Sequence, residues 1–292
     1  MNKERIQRWI DWLFNLLFIG ILLVVIWIVW IVFFFASFHI PTDSMEPTLK
    51  GGDVVWVFKP TLGARIFNVN ASLRHEQPTI YRIPGIRHFK RNDVLVFNFP
   101  HPNNWNKIEM HILKYYVKRC IGLPGDTLSI RNGFYQVKGF DQPLGNIEAQ
   151  NQISHYKPED FPKGIYASFP FDSILNWNIQ NFGPLYIPKK EDEIKMNRTN
   201  FVLYRKVIEW EQGKTLSYRD STVFLDGYPI RTYRFRKDYY FMGGDNGINS
   251  QDSRYWGLLP EEYIVGKVWK VWKSVDPYTD RFRWERFLLD VK

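Results

Sequence analysis

Cysteine is nearly missing from this 292-residue chain, and its one thiol, Cys120, excludes any internal disulfide. A basic run or basic helix is missing too. The formal net charge is +9, but the Lys and Arg residues are scattered, which weighs against nucleic-acid binding and suits a mild attraction to anionic lipid headgroups. There is no phosphate loop, because Gly213-Lys214-Thr215 would need a glycine five residues before Gly213 and that position is Ile208. None of the six histidines lies in a motif that would set it beside a reactive hydroxyl. No internal repeat or low-complexity tract stands out. From Leu13 to Phe38, charge is absent altogether.

That last absence has a physical consequence. As a helix, residues 13–38 would extend roughly 39 Å, more than the roughly 30 Å of a hydrocarbon core, so the segment predicts a retained membrane anchor rather than the shorter apolar stretch of a cleaved signal peptide. Lys3, Arg5 and Arg8 precede it against Glu4 and Asp11, whereas the first charges after it are Asp43 and Glu46. The positive-inside tendency then keeps the N-terminus in the cytoplasm and sends the rest across the cytoplasmic (inner) membrane. Trp9 and Trp12 suit the interface.

Beyond the anchor the chain reads as β structure. Aromatic content of 17% and hydrophobic content of 45% rule out wholesale disorder. Short apolar runs at 53–59, 93–99, 114–121, 127–131, 134–137, 222–225, 239–242 and 264–272 carry strand signatures, with Asn132-Gly133 and Asp226-Gly227 as hairpin turns and Pro124-Gly125 as the centre of a type II turn. Residues 60–90 are weakly patterned and read as loop. A weaker, polar and aromatic-spotted region at 139–213 reads as an inserted cap with one strand at 201–208. The expected fold class is mainly β: an antiparallel β domain (39–138 and 214–292), an inserted cap subdomain (139–213), a transmembrane helix (9–38) and a cytoplasmic N-terminus (1–8).

Three loops or strands carry candidate chemistry. In Pro41-Thr42-Asp43-Ser44-Met45-Glu46-Pro47-Thr48-Leu49, Asp43 and Glu46 have capping-box spacing, so Ser44 could simply open a helix. Pro47 counts against this, because it would remove the first helical hydrogen bond. The alternative is a serine on a tight loop close to the lipid. Lys118 lies on a strand beside Tyr116 and Cys120, where an apolar setting would lower its pKa and make it a base; a lysine that snorkels to water is the bland alternative. The third stretch, Gly243 to Gly257, is dense in small and paired polar residues and reads either as a surface loop or as a buttress for a site.

Together these stretches resemble bacterial type I signal peptidases. Ser44 to Leu49 resembles the family's nucleophile box, Lys118-Arg119-Cys120-Ile121-Gly122-Leu123-Pro124-Gly125-Asp126 its lysine box, and Gly244-Asp245-Asn246 through Ser250, Asp252, Arg254 and Gly257 its closing box. The resemblance implies a signal-peptidase-like β catalytic domain and a serine endopeptidase that removes signal peptides from exported preproteins at small-x-small sites through an acyl-enzyme, with no metal or cofactor. It implies Ser44 as nucleophile, Lys118 as general base, Thr42 with the Ser44 N–H as oxyanion donors and Ser250 as the group orienting Lys118. Asp245 with Arg119 and Asp252 with Arg254 become structural pairs, and Ile40, Pro41, Tyr116 and Val117 become lining of shallow pockets. Gly247 and Ile248 depart from the basic and acidic residues often found there, and Asp43 replaces a small residue. The partners implied are preproteins and the bilayer. The alternative from a different class is a non-catalytic membrane-tethered β scaffold; a self-cleaving repressor of similar chemistry is weaker, because the chain has an anchor and no recognisable DNA-binding region.

Overall fold

The computed structural model describes residues 3–68, 80–86 and 88–291; part of the weakly patterned 60–90 region therefore lies outside the described residues. An apolar helix, α1 (Lys3–Phe33), leads the chain. Its stretch Gln7–Phe33 is long and apolar enough to cross a membrane, with a mean hydropathy of 3.2 over its most apolar 18 residues and none of those buried against the rest of the protein. The helix stops five residues earlier than the uncharged run does. Phe35–His39 is instead a strand, β1, paired with β2 (Asp53–Phe58) from Phe35↔Phe58 to His39↔Val54. Aromatic residues are mediocre helix formers, and here a partner strand takes up the backbone groups that another turn would have used. Lys59 closes the helix end, its Nζ donating to the carbonyls of Ile31 (2.7 Å) and Val32 (3.2 Å), where a cation also meets the negative end of the helix dipole.

The remaining strands are β3 (Arg65–Phe67), β4 (Ile80–Arg82), β5 (Val94–Asn98), β6 (Tyr115–Gly122), β7 (Thr127–Arg131), β8 (Phe134–Val137), β9 (Phe182–Tyr186), β10 (Glu193–Lys195), β11 (Leu216–Arg219), β12 (Thr222–Leu225), β13 (Tyr228–Ile230), β14 (Thr232–Arg234), β15 (Tyr239–Gly243), β16 (Leu259–Pro260), β17 (Ile264–Ser274) and β18 (Leu289–Asp290). The main antiparallel sheet runs β1-β2-β17-β5-β6-β15-β16, with β18 on β17. Register breaks in β17, between Val268 and Lys270 and between Val271 and Lys273, mark bulges, which bend a strand and increase its twist. Val55, Val57, Val94, Val96, Val265, Val268 and Val271 form a small apolar core with Ile40, Met45 and Leu49. A larger core gathers Phe97, Phe99, Phe182, Phe241, Trp256 and their neighbours.

The expected mainly β architecture and both hairpins are present. Asn132 and Gly133, and likewise Asp226 and Gly227, all have positive φ (48° and 85°, 49° and 83°), as two-residue hairpin turns require. One expected strand is absent. Residues 201–208 belong instead to a helix, α3 (Arg198–Gln212), which follows α2 (Ile147–His155). Asn197 caps it by accepting the Asn200 N–H, and Leu203, Tyr204, Val207 and Ile208 are its buried side chains. That spacing is the helical stripe i, i+1, i+4, i+5, which β-branched composition disguised. Within 139–213, β9 pairs with β7, extending the β7-β8 hairpin into a three-stranded sheet.

Near the C-terminus, Arg286 reaches back to the buried Asp53 with Nε–Oδ1 2.9 Å and Nη2–Oδ2 2.5 Å, and donates to the Thr48 carbonyl at 3.0 Å. Removing one partner strands a buried charge, so Arg286→Ala should cost about 3–5 kcal/mol in urea unfolding of the full chain in detergent. Arg234→Ala, which breaks only an exposed pair with Glu193, should leave the midpoint where it is. Equal midpoints for the two variants would contradict this assignment.

Candidate active site

Ser44 stands on a loop that the small core holds down. Met45 (1% exposed) and Leu49 (0%) are sunk in that core, and the Leu49 N–H donates to the Met45 carbonyl at 2.9 Å. The Asp43 carbonyl accepts the Glu46 N–H at 2.9 Å, which closes a turn around Ser44 rather than starting a helix. From the opposite side, the Asn246 N–H donates to the Ser44 carbonyl at 3.1 Å. The Ser44 N–H itself has no hydrogen-bond partner among the described residues. Backbone and anchors are thereby fixed, and the N–H and hydroxyl are left for other work.

Lys118 comes to Ser44 from β6. Its Nζ donates to Ser44 Oγ at 2.6 Å and to the Val117 carbonyl at 3.0 Å, and the residue is only 4% exposed. The surroundings push its pKa down to about 8. Burial is the main cause; Asp252 opposes it, Arg254 adds to the lowering, and Asp245 and then Asp43 pull upward. With a pKa near 8, roughly a tenth of this amine is neutral at pH 7. An ordinary lysine would be neutral far more rarely.

One buried ion pair ties the three sequence stretches into one site, and a second braces the last of them internally. Arg119, next to Lys118, grips Asp245 in a fork (Nε–Oδ1 2.7 Å, Nη2–Oδ2 2.6 Å), while Thr48 of the serine loop donates to the same carboxylate at 2.6 Å and accepts from Arg119 at 3.0 Å. Arg254 likewise holds Asp252 (Nε–Oδ1 2.8 Å, Nη2–Oδ2 2.7 Å) and donates to the Gly247 carbonyl at 2.8 Å. Burial alone would raise the Asp252 pKa. The Arg254 guanidinium and the donors at Gly244 and Ser250 outweigh it and hold the carboxyl below its usual range. Gly244 is obligatory at this junction, since a Cβ there would lie 1.9 Å from Ser250 Oγ and 2.8 Å from the Ser44 carbonyl oxygen.

The other expected residues divide between the cleft and its supports. Thr42 Oγ1 is 3.5 Å from Ser44 Oγ, too long for a firm hydroxyl–hydroxyl bond, so its proton is available to a third party. Ser250 makes no hydrogen bond to Lys118; its hydroxyl donates to Asp252 Oδ2 at 2.7 Å, because that carboxylate is the stronger acceptor within reach. Ile40, Pro41, Tyr116 and Val117 all line a cleft of about 320 Å³ that also contains Ser44 and Lys118. Ile40 is 3% exposed and packed in the small core, so it offers this cleft little side-chain surface. His39 lies on the cleft as well, yet among the described residues no histidine hydrogen-bonds Ser44. Ile248, one of the departures, packs on a third apolar cluster with Ile153 and Tyr255.

Sequence reasoning missed the amides. Asn146 Nδ2 donates to the Asp245 carbonyl at 3.0 Å, Asn249 Nδ2 donates to both Asp43 carboxylate oxygens (3.0 and 2.9 Å), and Tyr116 donates its phenol proton to Gln251 at 3.0 Å across the cleft. The polar density of residues 243–257 was the available signal, but the partners lie up to 206 positions away. The arrangement supplies a hydroxyl, a desolvated amine able to take its proton, and an unused backbone N–H beside them. Such a set suits attack on a carbonyl.

Comparison with known proteins agrees with this geometry. The sequence pattern of the family described as signal peptidase, peptidase S26, matches residues 9–272. Signal peptidase I of Buchnera aphidicola subsp. Schizaphis graminum is 30% identical over 248 residues, covering 84% of this chain and 70% of its own length. Signal peptidase I of Helicobacter pylori strain 26695 is 29% identical over 251 residues (84% and 77%). A solved signal peptidase I from Enterococcus faecalis V583 overlaps 63% of this chain and 98% of its own at 18% identity and a TM-score of 0.30, a partial overlap that carries no weight of its own.

The lowered pKa of Lys118 has two checkable consequences. If the neutral amine is the working form, kcat/KM should rise about tenfold per pH unit up to an apparent pKa near 8 and then level; a flat profile across this range excludes Lys118 as base. The unfolded chain keeps this proton up to its ordinary value near 10.5 and the native state loses it near 8, so stability rises with pH between the two and the cost is fully present below about 8. Lys118→Met should therefore melt higher than wild type at pH 7.

Proposed function

The chain belongs to the peptidase S26 family of signal peptidases, serine endopeptidases that remove signal peptides, and we propose that Ser44 and Lys118 form its catalytic dyad. The observation that carries this is the 2.6 Å contact between Lys118 Nζ and Ser44 Oγ in a site where burial lowers the amine's pKa to about 8. Neutral Lys118 accepts the Ser44 proton as Oγ attacks the scissile carbonyl, and the resulting lysine ammonium then protonates the leaving amine. Lys118 next takes a proton from the water that cleaves the acyl-enzyme. The developing oxyanion is received by the Ser44 N–H and the Thr42 hydroxyl, neither of which is committed elsewhere.

Substrate binding is a matter of the sheet. Strand β6 pairs with β5 along residues 115–119 but with β15 only from Arg119 onward, so Tyr115 to Lys118 keep one edge open to an extended peptide. Pro41, Tyr116 and Val117 line the shallow cleft beside that edge, which suits small side chains at a small-x-small site. The substrates in this reading are signal-peptide-bearing preproteins, held at the outer face of the cytoplasmic membrane.

Anchor and body bear on the location together. α1 spans with its basic start, which includes Arg8, in the cytoplasm, and the catalytic domain sits on the far side. Trp56 stacks on Trp269 and Trp272 (centroids 6.1 and 6.0 Å apart) across β2 and β17, and Phe35 of β1 joins Trp269 to Trp30 at the end of the helix. This aromatic row continues from the span onto the sheet, as an interfacial surface would.

The test is processing of one exported precursor by purified full-length protein, with the new N-terminus sequenced. Ser44→Ala and Lys118→Met should each abolish cleavage while the fold survives, Thr42→Val should lower kcat by about 10²–10³-fold with little change in KM, and His39→Ala should retain activity. Cleavage that persists in Ser44→Ala or Lys118→Met overturns the dyad and favours a scaffold or another nucleophile.

A further inference from the structure

Asp43 is the charged residue that replaces a small one directly before Ser44, and the structure gives it a setting. It lines the cleft and is exposed, and its carboxylate is held by a neutral group, the Asn249 amide, through both oxygens (3.0 and 2.9 Å). Its backbone carbonyl is pinned by the Glu46 N–H at 2.9 Å and by Asn246 Nδ2 at 3.4 Å. The carboxylate is thus fixed in position yet unneutralised, since no Lys, Arg or His forms an ion pair or hydrogen bond with it among the described residues.

The charge balance of the cleft makes this consequential. Apart from tyrosines, its titratable side chains are His39, Asp43 and Lys118. In the form that can act as base Lys118 is neutral, so the Asp43 carboxylate then stands one residue from the nucleophile with no ion-pair partner among the described residues. A substrate has to pass this charge with its scissile bond at Ser44. Asn249 and Gln251 lie on the facing wall, the first bonded to Asp43 and the second to Tyr116, so one short segment spans the cleft from the serine loop to β6.

We propose that Asp43, positioned by Asn249, is a specificity-determining residue that selects preproteins by charge next to the cleavage site, favouring a basic residue and disfavouring an acidic one. This rests on the dyad reading, because the selection acts on the substrate that Ser44 attacks. A fixed charge about 6 Å from a substrate charge, at an effective dielectric near the value of about 80 for water that suits this exposed carboxylate, is worth about tenfold in rate between opposite signs.

The experiment uses full-length protein in detergent and a set of peptides with one Ala-x-Ala site, carrying Lys, Gln or Glu in turn at the first and second residues after the cut. Wild type should prefer Lys over Glu about tenfold in kcat/KM at one of these positions, with Gln between, and the ratio should shrink in about 0.5 M salt. Asp43→Asn should bring the ratio close to one, and Asp43→Glu should keep it. Each ratio is taken within one variant, so a general loss of folding or activity cancels. Asp43→Asn should also move the acid limb of the Gln-peptide profile to lower pH, because one of the carboxylates raising the Lys118 pKa is gone while Asp252, Arg254 and Asp245 stay. An unchanged Lys-to-Glu ratio in Asp43→Asn, or no such preference in wild type, overturns the proposal. Neither result touches the dyad, whose failure would appear as cleavage by Ser44→Ala.

Discussion

A lysine amine kept out of water within 2.6 Å of a serine hydroxyl is the contact on which the rest of this molecule converges. Burying an ammonium is costly, and the usual result is a lowered pKa, as found for Lys118. Nearby charges have to be arranged so as not to undo it. Asp252 and Asp245 would each favour the charged amine, but Arg254 and Arg119 take up those carboxylates in two-pronged pairs. The buried ion pairs therefore offset the pull of the carboxylates on the amine's pKa, and they lock the loop at the same time.

Mechanical support obeys the same logic. The serine loop is nailed into the small core by Met45 and Leu49 and tied to Asp245 through Thr48, and Arg286 bonds its Thr48 carbonyl. β6, which carries Lys118, is held between β5 and β15. Ser44 and Lys118 thus each ride on an element with its own anchorage. Their separation is set by how the elements pack rather than by side-chain flexibility, which is what preorganisation for attack requires.

The membrane segment and the sheet are continuous in a way that bears on access. β1 begins two residues after α1 ends, pairs with β2, and runs into the loop that carries Ser44. Lys59 caps the helix from the far end of β2. The anchor is consequently registered against the sheet that forms the cleft instead of hanging on a free linker, so the position of Ser44 relative to the end of the span is part of the fold.

Local patterns determined a good deal. The uncharged run announced a span, the Asn-Gly and Asp-Gly pairs announced hairpins, and three short motifs located Ser44, Lys118 and the loop of Asp245 to Arg254, because each depends on neighbours within a few residues. Where a competing local signal existed the reading failed: β-branched residues hid the helix at 198–212, and hydrophobicity alone carried the span to Phe38 when strand pairing ended the helix at Phe33. Only the tertiary structure decided that Ser250 spends its proton on Asp252 instead of Lys118, that Asn249 holds Asp43, and that Tyr116 meets Gln251. Hydrogen bonds between groups far apart in sequence depend on distances of a few tenths of an ångström, and those are set by the packing of whole elements, to which a one-dimensional pattern is blind.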